Sequence, residues 1–418
     1  MRREMVMSME RIDTSEQMRS VGQAMPYVPP KGTRPANRKD LIRRAGAELF
    51  YEYGFASVSM NQIARAVSIG PSALYRHFSS KQELLVSVIE ASVAEAHAAL
   101  ADARDDATAE SLSDWNDAFV AMALDIRLAG VLWQREARQL PEQDQERLAA
   151  EVRQIRHELR QAIQTHHPEA ATWSRLLTRA VLSICLSLSY HHVSLPRADF
   201  VALMKQMMFS VLNINWVVEE SVNLVDRRVS EPRRSPTGTQ EKLVAAASEL
   251  FARRGFAQTG LDEIAAKVGI AEPSIYHHFP SKVDLLFEVL QYGNDLLQKG
   301  RALALAVPSN PKKALGCLLD SYLDTVAADP ALITLIVTEL GNLDEEKRRL
   351  AVAQQRAYLN QWVDLMLQID PTMLRDAARI RVHAVLMVIN DCAARSHGDL
   401  DAAERSALEL ICQRLLEL

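Results

Sequence analysis

The sequence predicts an all-α protein in which one unit is present twice, and three observations predict it. Apolar residues recur at helical spacing without strand alternation, glycine is scarce at 15 residues in 418, and a long segment repeats at constant spacing. Hydrophobic residues make up 48% and charged residues 24%, the composition of a globular chain long enough for two to four domains, each with its own core. The formal net charge of -5 gives no global signal for nucleic acid, so any such signal must be local. Cys185, Cys317, Cys392 and Cys412 stand far apart without C-x-x-C spacing and read as reduced thiols of a cytoplasmic protein.

The repeat sets the domain plan. Laid over each other without a gap at an offset of 201, residues 45 to 85 and 246 to 286 share 18 identities in 41 positions. Further on, LWQREARQLPEQDQERL (132 to 148) resembles LIVTELGNLDEEKRRL (335 to 350) once Glu136 is set over Glu339, an offset of 203. Between the copies, DRRVSEPRRSPTGTQ (226 to 240) breaks helical periodicity with two prolines, a glycine and four arginines. The expected organisation is a tail at 1–37, a head at 38–84, a helical domain at 85–225, a basic linker at 226–238, a second head at 239–285 and a second helical domain at 286–418.

Each head reads as three short helices. The first carries its apolar face at Ile42, Ala45, Leu49 and Phe50, matched by Leu243, Ala246, Leu250 and Phe251, and stops at Gly54 or Gly255. Ser59 and Gln62 have the S-x-x-Q spacing of a capping box that starts the second helix; Gly260 and Glu263 give a weaker cap of the same outline. A turn at Ser68 or Gly269 leads to the third helix, with Pro71 or Pro273 in its first turn, where a missing N–H is tolerated. This is a helix-turn-helix module.

A long fourth helix starts near Ser80 or Ser281, with Lys81 or Lys282 in its first turn. A cation there opposes the helix dipole, and a bound phosphate is one reason to place it there. Tyr75 and Tyr276 can offer a hydroxyl to phosphate, with His77 and His278 two residues on, while Phe78 and Phe279 suit the small head core. The competing reading makes all of these ordinary surface and core residues.

At this point the sequence resembles a known family. MNQIARAVSIGPSALYRHFSSKQELL and LDEIAAKVGIAEPSIYHHFPSKVDLL are similar to the DNA-binding segment of TetR-family transcriptional regulators. The resemblance implies two tandem TetR-like units, each a helix-turn-helix DNA-binding domain followed by a helical-bundle domain that binds a small effector and dimerises. Relatives usually carry one unit and work as homodimers, so this chain resembles a covalent pseudo-dimer, with further homodimerisation left open. A narrower similarity, carried by LWQREARQL with a second complete unit behind it, is to actinobacterial tandem TetR-type repressors of lipid or sterol transport operons.

Carried over residue by residue, the resemblance implies phosphate contacts at Ser59, Tyr75, His77 and Lys81 and at Tyr276, His278 and Lys282. Thr259 is also expected to contact DNA, and Lys31, Arg34, Arg38 and Lys39 precede the first head and could form a basic arm. Base-reading positions are Gly70, Pro71, Ser72, Ala73 and Arg76, against Ala271, Glu272, Pro273, Ser274 and His277. These rows differ throughout: Arg76 can donate to guanine, while Glu272 can accept from cytosine or repel the backbone. Residues 38–84 hold seven Lys/Arg against four Asp/Glu (7 - 4 = +3) and residues 239–285 five against six (5 - 6 = -1), so the first head should supply more counterion release. Arg227, Arg228, Arg233 and Arg234 either lie along phosphates or form a solvated linker.

Behind each head the periodicity predicts a helical bundle, whose last two helices, roughly 173–218 and 374–418, would by resemblance pack between the halves. Trp115, Phe119, Trp133 and Trp362 either line an apolar pocket or fill the core. Arg135, Glu136 and Arg138 either salt-bridge a neighbouring helix or meet an acidic ligand, and the implied effector is small and hydrophobic, or acyl-CoA- or steroid-CoA-like. His166, His167, His191 and His192 read as helix-end histidines, and neither a metal nor another cofactor is expected. The tail reads as no secretion signal and no apolar run approaches membrane length, which suits a cytoplasmic protein with no membrane partner. No G-x-G-x-x-G, P-loop, G-x-S-x-G or H-E-x-x-H motif supports an enzyme. The leading expectation is a ligand-responsive repressor on double-stranded operator DNA; the alternative is an interaction or scaffold protein with only the first head competent for DNA.

Overall fold

A computed structural model describes residues 37–105, 120–124, 132–133, 136–191, 193, 195–216, 238–395 and 400–418, and no strand occurs among them. The linker arginines and Trp115, Phe119 and Arg135 lie outside the described residues. Contacts divide the chain between Asn213 and Ile214 into two units.

In the first unit, α1 (Arg38–Tyr53) buries Leu41, Ile42, Ala45 and Phe50 and ends at Gly54, whose N–H closes on the Phe50 carbonyl at 3.0 Å. Gly54 holds φ at 79°, a left-handed value that a side chain would strain. The predicted capping box starts α2 (Met60–Ala66): the Gln62 N–H donates to Ser59 Oγ at 3.3 Å, and the Ser59 N–H donates to Gln62 Oε1 at 2.7 Å. α3 (Pro71–Tyr75) follows with its proline in the first turn, then α4 (Lys81–Asp105). Leu74 and Phe78 seat α3 in a core made by α1, α2 and the start of α4.

That core does not stop at the head. Leu132, Leu140 and Leu148 belong to it, and Trp133 packs against it, so the segment leading into α5 (Glu142–His166) is built onto the head. α6 (Ser174–Ser187) and α7 (Arg197–Leu212) complete the unit. Among the described residues one stretch, Lys81–Ala101 of α4, is long and apolar enough to cross a membrane, with a mean hydropathy of 1.5. It holds no uninterrupted apolar run because Glu90 and Glu95 interrupt a stretch rich in alanine, leucine and valine. Its Leu84, Leu85, Val88 and Ile89 are buried in the head core.

In the second unit, α8 (Thr239–Arg254) ends at Gly255 with φ 83°, and α9 (Leu261–Val268) ends at Gly269 with φ 78°. The third segment, Glu272–His277, is a 3-10 helix where an α-helix was expected. Six residues are too few for α-helical cooperativity to dictate the pattern, so the flanking turns decide it. α10 (Lys282–Ala304), α11 (Pro311–Ala328), α12 (Pro330–Thr338), α13 (Glu345–Ile369), α14 (Arg375–Arg395) and α15 (Ala402–Leu416) form the rest.

Candidate nucleic-acid interface

In the first head the turn between α2 and α3 pushes one row of side chains outward. Gly70, Pro71, Ser72, Tyr75 and Arg76 are exposed, Ala73 and His77 half-buried, and Leu74 and Phe78 anchor the row from beneath. Tyr75 is 51% exposed although Leu74 and Phe78 on either side of it are core residues, which frees its hydroxyl for a partner outside the protein. An open groove of about 530 Å³ runs beside it, with Ser59, Asn61, Tyr75, Ser79, Ser80 and Lys81 among its walls. Arg38 is half-buried; Lys39 is exposed, with its ammonium 5.4 Å from the centre of the Phe78 ring.

Lys81 corrects an expectation. Its ammonium turns inward, donating to the carbonyls of Phe55 at 2.6 Å and Val58 at 2.8 Å and lying 4.3 Å from the centre of the Phe55 ring. Burial pushes its pKa down while the Glu136 charge opposes that shift. The α4 N-terminus is closed as well: the Glu83 N–H donates to Ser80 Oγ at 3.0 Å, and the Glu83 carboxylate accepts from the Ser79 N–H at 2.6 Å. The bond from the Ser79 hydroxyl, and after it the one from the Ser79 N–H, hold the Glu83 carboxyl below the usual carboxylate range. The phosphate clamp expected of Lys81 and free N–H groups is thus folded in on itself; the sequence contained the S-x-x-E cap at Ser80 and Glu83 that signals it.

The second head repeats the outline with different electrostatics. Ala271, Glu272, Pro273, Tyr276, His277 and His278 are exposed and Ser274 half-buried, with Tyr276 at 52% matching Tyr75. Lys282 again lies over a phenylalanine, 4.4 Å from the Phe256 ring centre, and Ser281 Oγ caps α10 by accepting from the Asp284 N–H at 3.1 Å. Thr259 does not face DNA: it is 2% exposed, and its hydroxyl donates to the Gly255 carbonyl at 2.9 Å. Gly260 supplies no side chain to the cap, and only the reverse bond forms, from its N–H to Glu263 at 3.3 Å. Two cations of this head are paired, Arg254 with Glu263 and Lys267 with Glu249 at 2.5 Å.

Among the described residues, the expected pocket positions are packed within their own units. Trp133 packs on the head core, and Glu136, 6% exposed, accepts the Phe55 N–H at 3.1 Å. Trp362 is wholly buried in the second unit, edge-on to Tyr322 at 6.0 Å and beside Tyr358 at 6.3 Å. Tyr322 donates to Asn390 Oδ1 at 2.9 Å, and burial pushes the hydroxyl pKa of both tyrosines far up. These positions are core positions in this structure. Arg138 is placed only as part of the 3-10 turn Ala137–Gln139.

Comparison with known proteins adds the remaining finding. The family described as bacterial regulatory proteins, tetR family, matches residues 42–88 and again residues 243–289. The HTH-type transcriptional activator FasR of Mycolicibacterium smegmatis is 36% identical over 88 residues, 21% of this chain and 40% of that protein. The HTH-type transcriptional repressor KstR2 of Rhodococcus jostii is 29% identical over 113 residues, 27% of this chain and 55% of that protein. The solved structure of KstR2 of Mycobacterium tuberculosis aligns with a TM-score of 0.37 at 21% identity, over 46% of this chain and 97% of that one. The matches thus span about half the length of the curated relatives, 40% of one and 55% of the other. The segment typical of the tetR family of bacterial regulatory proteins thus falls on both helix-turn-helix heads, so this chain carries that DNA-binding segment twice.

Proposed function

We propose that the chain is a DNA-binding transcriptional regulator that grips a non-palindromic operator with two unlike heads, acting as a covalent pseudo-dimer. The observation that carries this is the pair of exposed rows: Tyr75 with Arg76 on one head and Tyr276 with His277 on the other, each held on a packed three-helix core. Paired halves read a palindrome when they are identical; here Arg76 stands against His277 and exposed Pro71 against exposed Glu272, so the half-sites should differ. Ser59 and Tyr75 beside the groove supply the polar contacts to phosphate in the first head, and His278 and Tyr276 those in the second. The matched relatives include an activator and a repressor, and repression is the sign proposed for this chain. A small hydrophobic effector, acyl-CoA- or steroid-CoA-like, would release the operator by favouring a state in which the heads no longer fit successive major grooves.

The experiment is footprinting of the full-length protein on DNA upstream of its own gene, beside Tyr75→Ala and Tyr276→Ala. Loss of protection by both variants, each over a different half of one non-palindromic site, supports the reading. A palindromic footprint or none at all overturns it. A second reading, in which only the first head touches DNA, is favoured by the ion pairs that engage Arg254 and Lys267 and by the exposed Glu272. It requires that Tyr276→Ala leave the footprint intact and that two chains come together on the site.

A further inference from the structure

Phe55 is held at every polar atom it owns, by residues that no DNA-contact role explains. Its N–H donates to Glu136 Oε1 at 3.1 Å, its carbonyl accepts from Lys81 Nζ at 2.6 Å, and its ring lies under the same ammonium at 4.3 Å. The ring packs on Phe50 of α1 at 5.3 Å between centres. Both Phe55 and Glu136 are buried, so the bond between them is not exchanged freely with water.

The position of this grip matters more than its strength. Phe55 opens the short loop that ends at Ser59, the cap of α2, and residues 56 to 59 of that loop line the groove beside Tyr75 together with Met60 and Asn61 of α2. Lys81 holds the loop a second time through the Val58 carbonyl at 2.8 Å. Glu136 arrives from the other direction, 81 residues along the chain, on the segment whose Leu132 and Leu140 are part of the head core and whose continuation is α5. A displacement of that segment therefore reaches the groove wall through one buried carboxylate and one ammonium.

We propose that Glu136 and Lys81 are positioning residues that couple the helical domain to the DNA-facing loop of the first head, with Lys81 serving this junction instead of binding a phosphate. The inference rests on the DNA-binding reading above. The second half carries a related junction: Lys282 lies 4.4 Å from the Phe256 ring centre, and Glu339, the counterpart of Glu136, also stands at the start of a 3-10 turn. There the Glu339 carboxylate accepts from Asn342 at 2.6 Å. In the first head the Tyr51 hydroxyl also donates to the Ser189 carbonyl at 2.9 Å, a second tie between the head and its helical domain; Ala252 holds the corresponding place in the other copy.

The test compares full-length wild type, Glu136→Gln and Lys81→Met. Gln keeps an acceptor for the Phe55 N–H but removes the charge facing Lys81; Met keeps the apolar stem over the ring but removes the ammonium. Hydrogen exchange of residues 54–60 is followed without DNA, and affinity is titrated against salt on the duplex that wild type protects. We expect faster exchange in both variants and affinity lower by on the order of tenfold, with the double variant little worse than either single one. The slope of log affinity against log salt should stay that of wild type, because no phosphate contact is lost. A slope shallower by about 0.9 in Lys81→Met makes it a phosphate ligand and overturns the proposal. So does unchanged exchange and affinity in Glu136→Gln while wild type binds. If exchange rises but wild type binds no DNA, the DNA-binding reading has failed and the junction is packing alone, which also ends the proposal.

Discussion

The two heads share a framework and differ wherever that framework meets water. Phe50 and Phe251 are both wholly buried, each tilted against the next phenylalanine, Phe55 at 5.3 Å and Phe256 at 5.4 Å. Gly54 and Gly255 end the first helix in the same left-handed conformation, and Tyr75 and Tyr276 emerge equally exposed. The outward rows, the caps and the turn residue are where the copies part. Packing tolerates few solutions at a fixed density, whereas an exposed position is constrained only by what it touches outside the protein. The difference locates specificity on the surface rows and leaves the cores as interchangeable supports.

That comparison can be broken most decisively at the cores. Phe50→Ala and Phe251→Ala should each cost about 3–5 kcal/mol in denaturant unfolding of the unit concerned. A much smaller loss for Phe251→Ala would show that the second head is loosely packed and only superficially a copy. Next in size is the affinity difference at the tyrosines. Tyr75→Ala and Tyr276→Ala should each weaken operator binding about tenfold, from loss of a hydrogen bond to a charged oxygen worth about 1.5 kcal/mol. Unequal losses would rank the heads directly.

The turns come third. Ser68 adopts φ 53° without being glycine, while Gly269 adopts φ 78° at the matching place. Ser68→Gly should stabilise the first head by about 1 kcal/mol, and Gly269→Ala should destabilise the second by a similar amount, both read by melting temperature. The caps are smaller. Ser59→Ala removes the bond from the Gln62 N–H and should cost about 1 kcal/mol, whereas Gly260→Ser should add a few tenths. An added Cβ at Gly260 presses on the exposed Asp262 carboxylate, which can swing away, and lies in ordinary contact with Glu263 Cγ at 3.8 Å. The least effect belongs to Glu263→Gln: the pair with Arg254 lies in solvent, where screening leaves it little weight, so stability should barely move while Arg254 becomes available to DNA.

Several features were legible without coordinates because they are local. The capping box at Ser59 and Gln62, the stop at Gly54 and the proline that opens α3 each depend on residues within one turn of each other, and each forms as read. The α-helical reading of Glu272–His277 failed for the complementary reason: a six-residue segment takes its hydrogen-bond pattern from its flanks. Thr259 was expected at the DNA surface, yet it sits one residue before the helix cap, at the place of the buried Val58 of the first head, and is buried like it.

The sequence by itself determined that there are two heads, where their helices lie, and that the outward rows are unlike, since periodicity, caps and a gapless internal repeat are properties of neighbouring residues. Only the tertiary structure decided what the charged residues at the head's rear face do. Lys81 reaches the Phe55 carbonyl across 26 positions and Glu136 reaches the Phe55 N–H across 81. A buried charge takes whatever partners the fold brings within about 3 Å, and no pattern along the chain encodes which those will be.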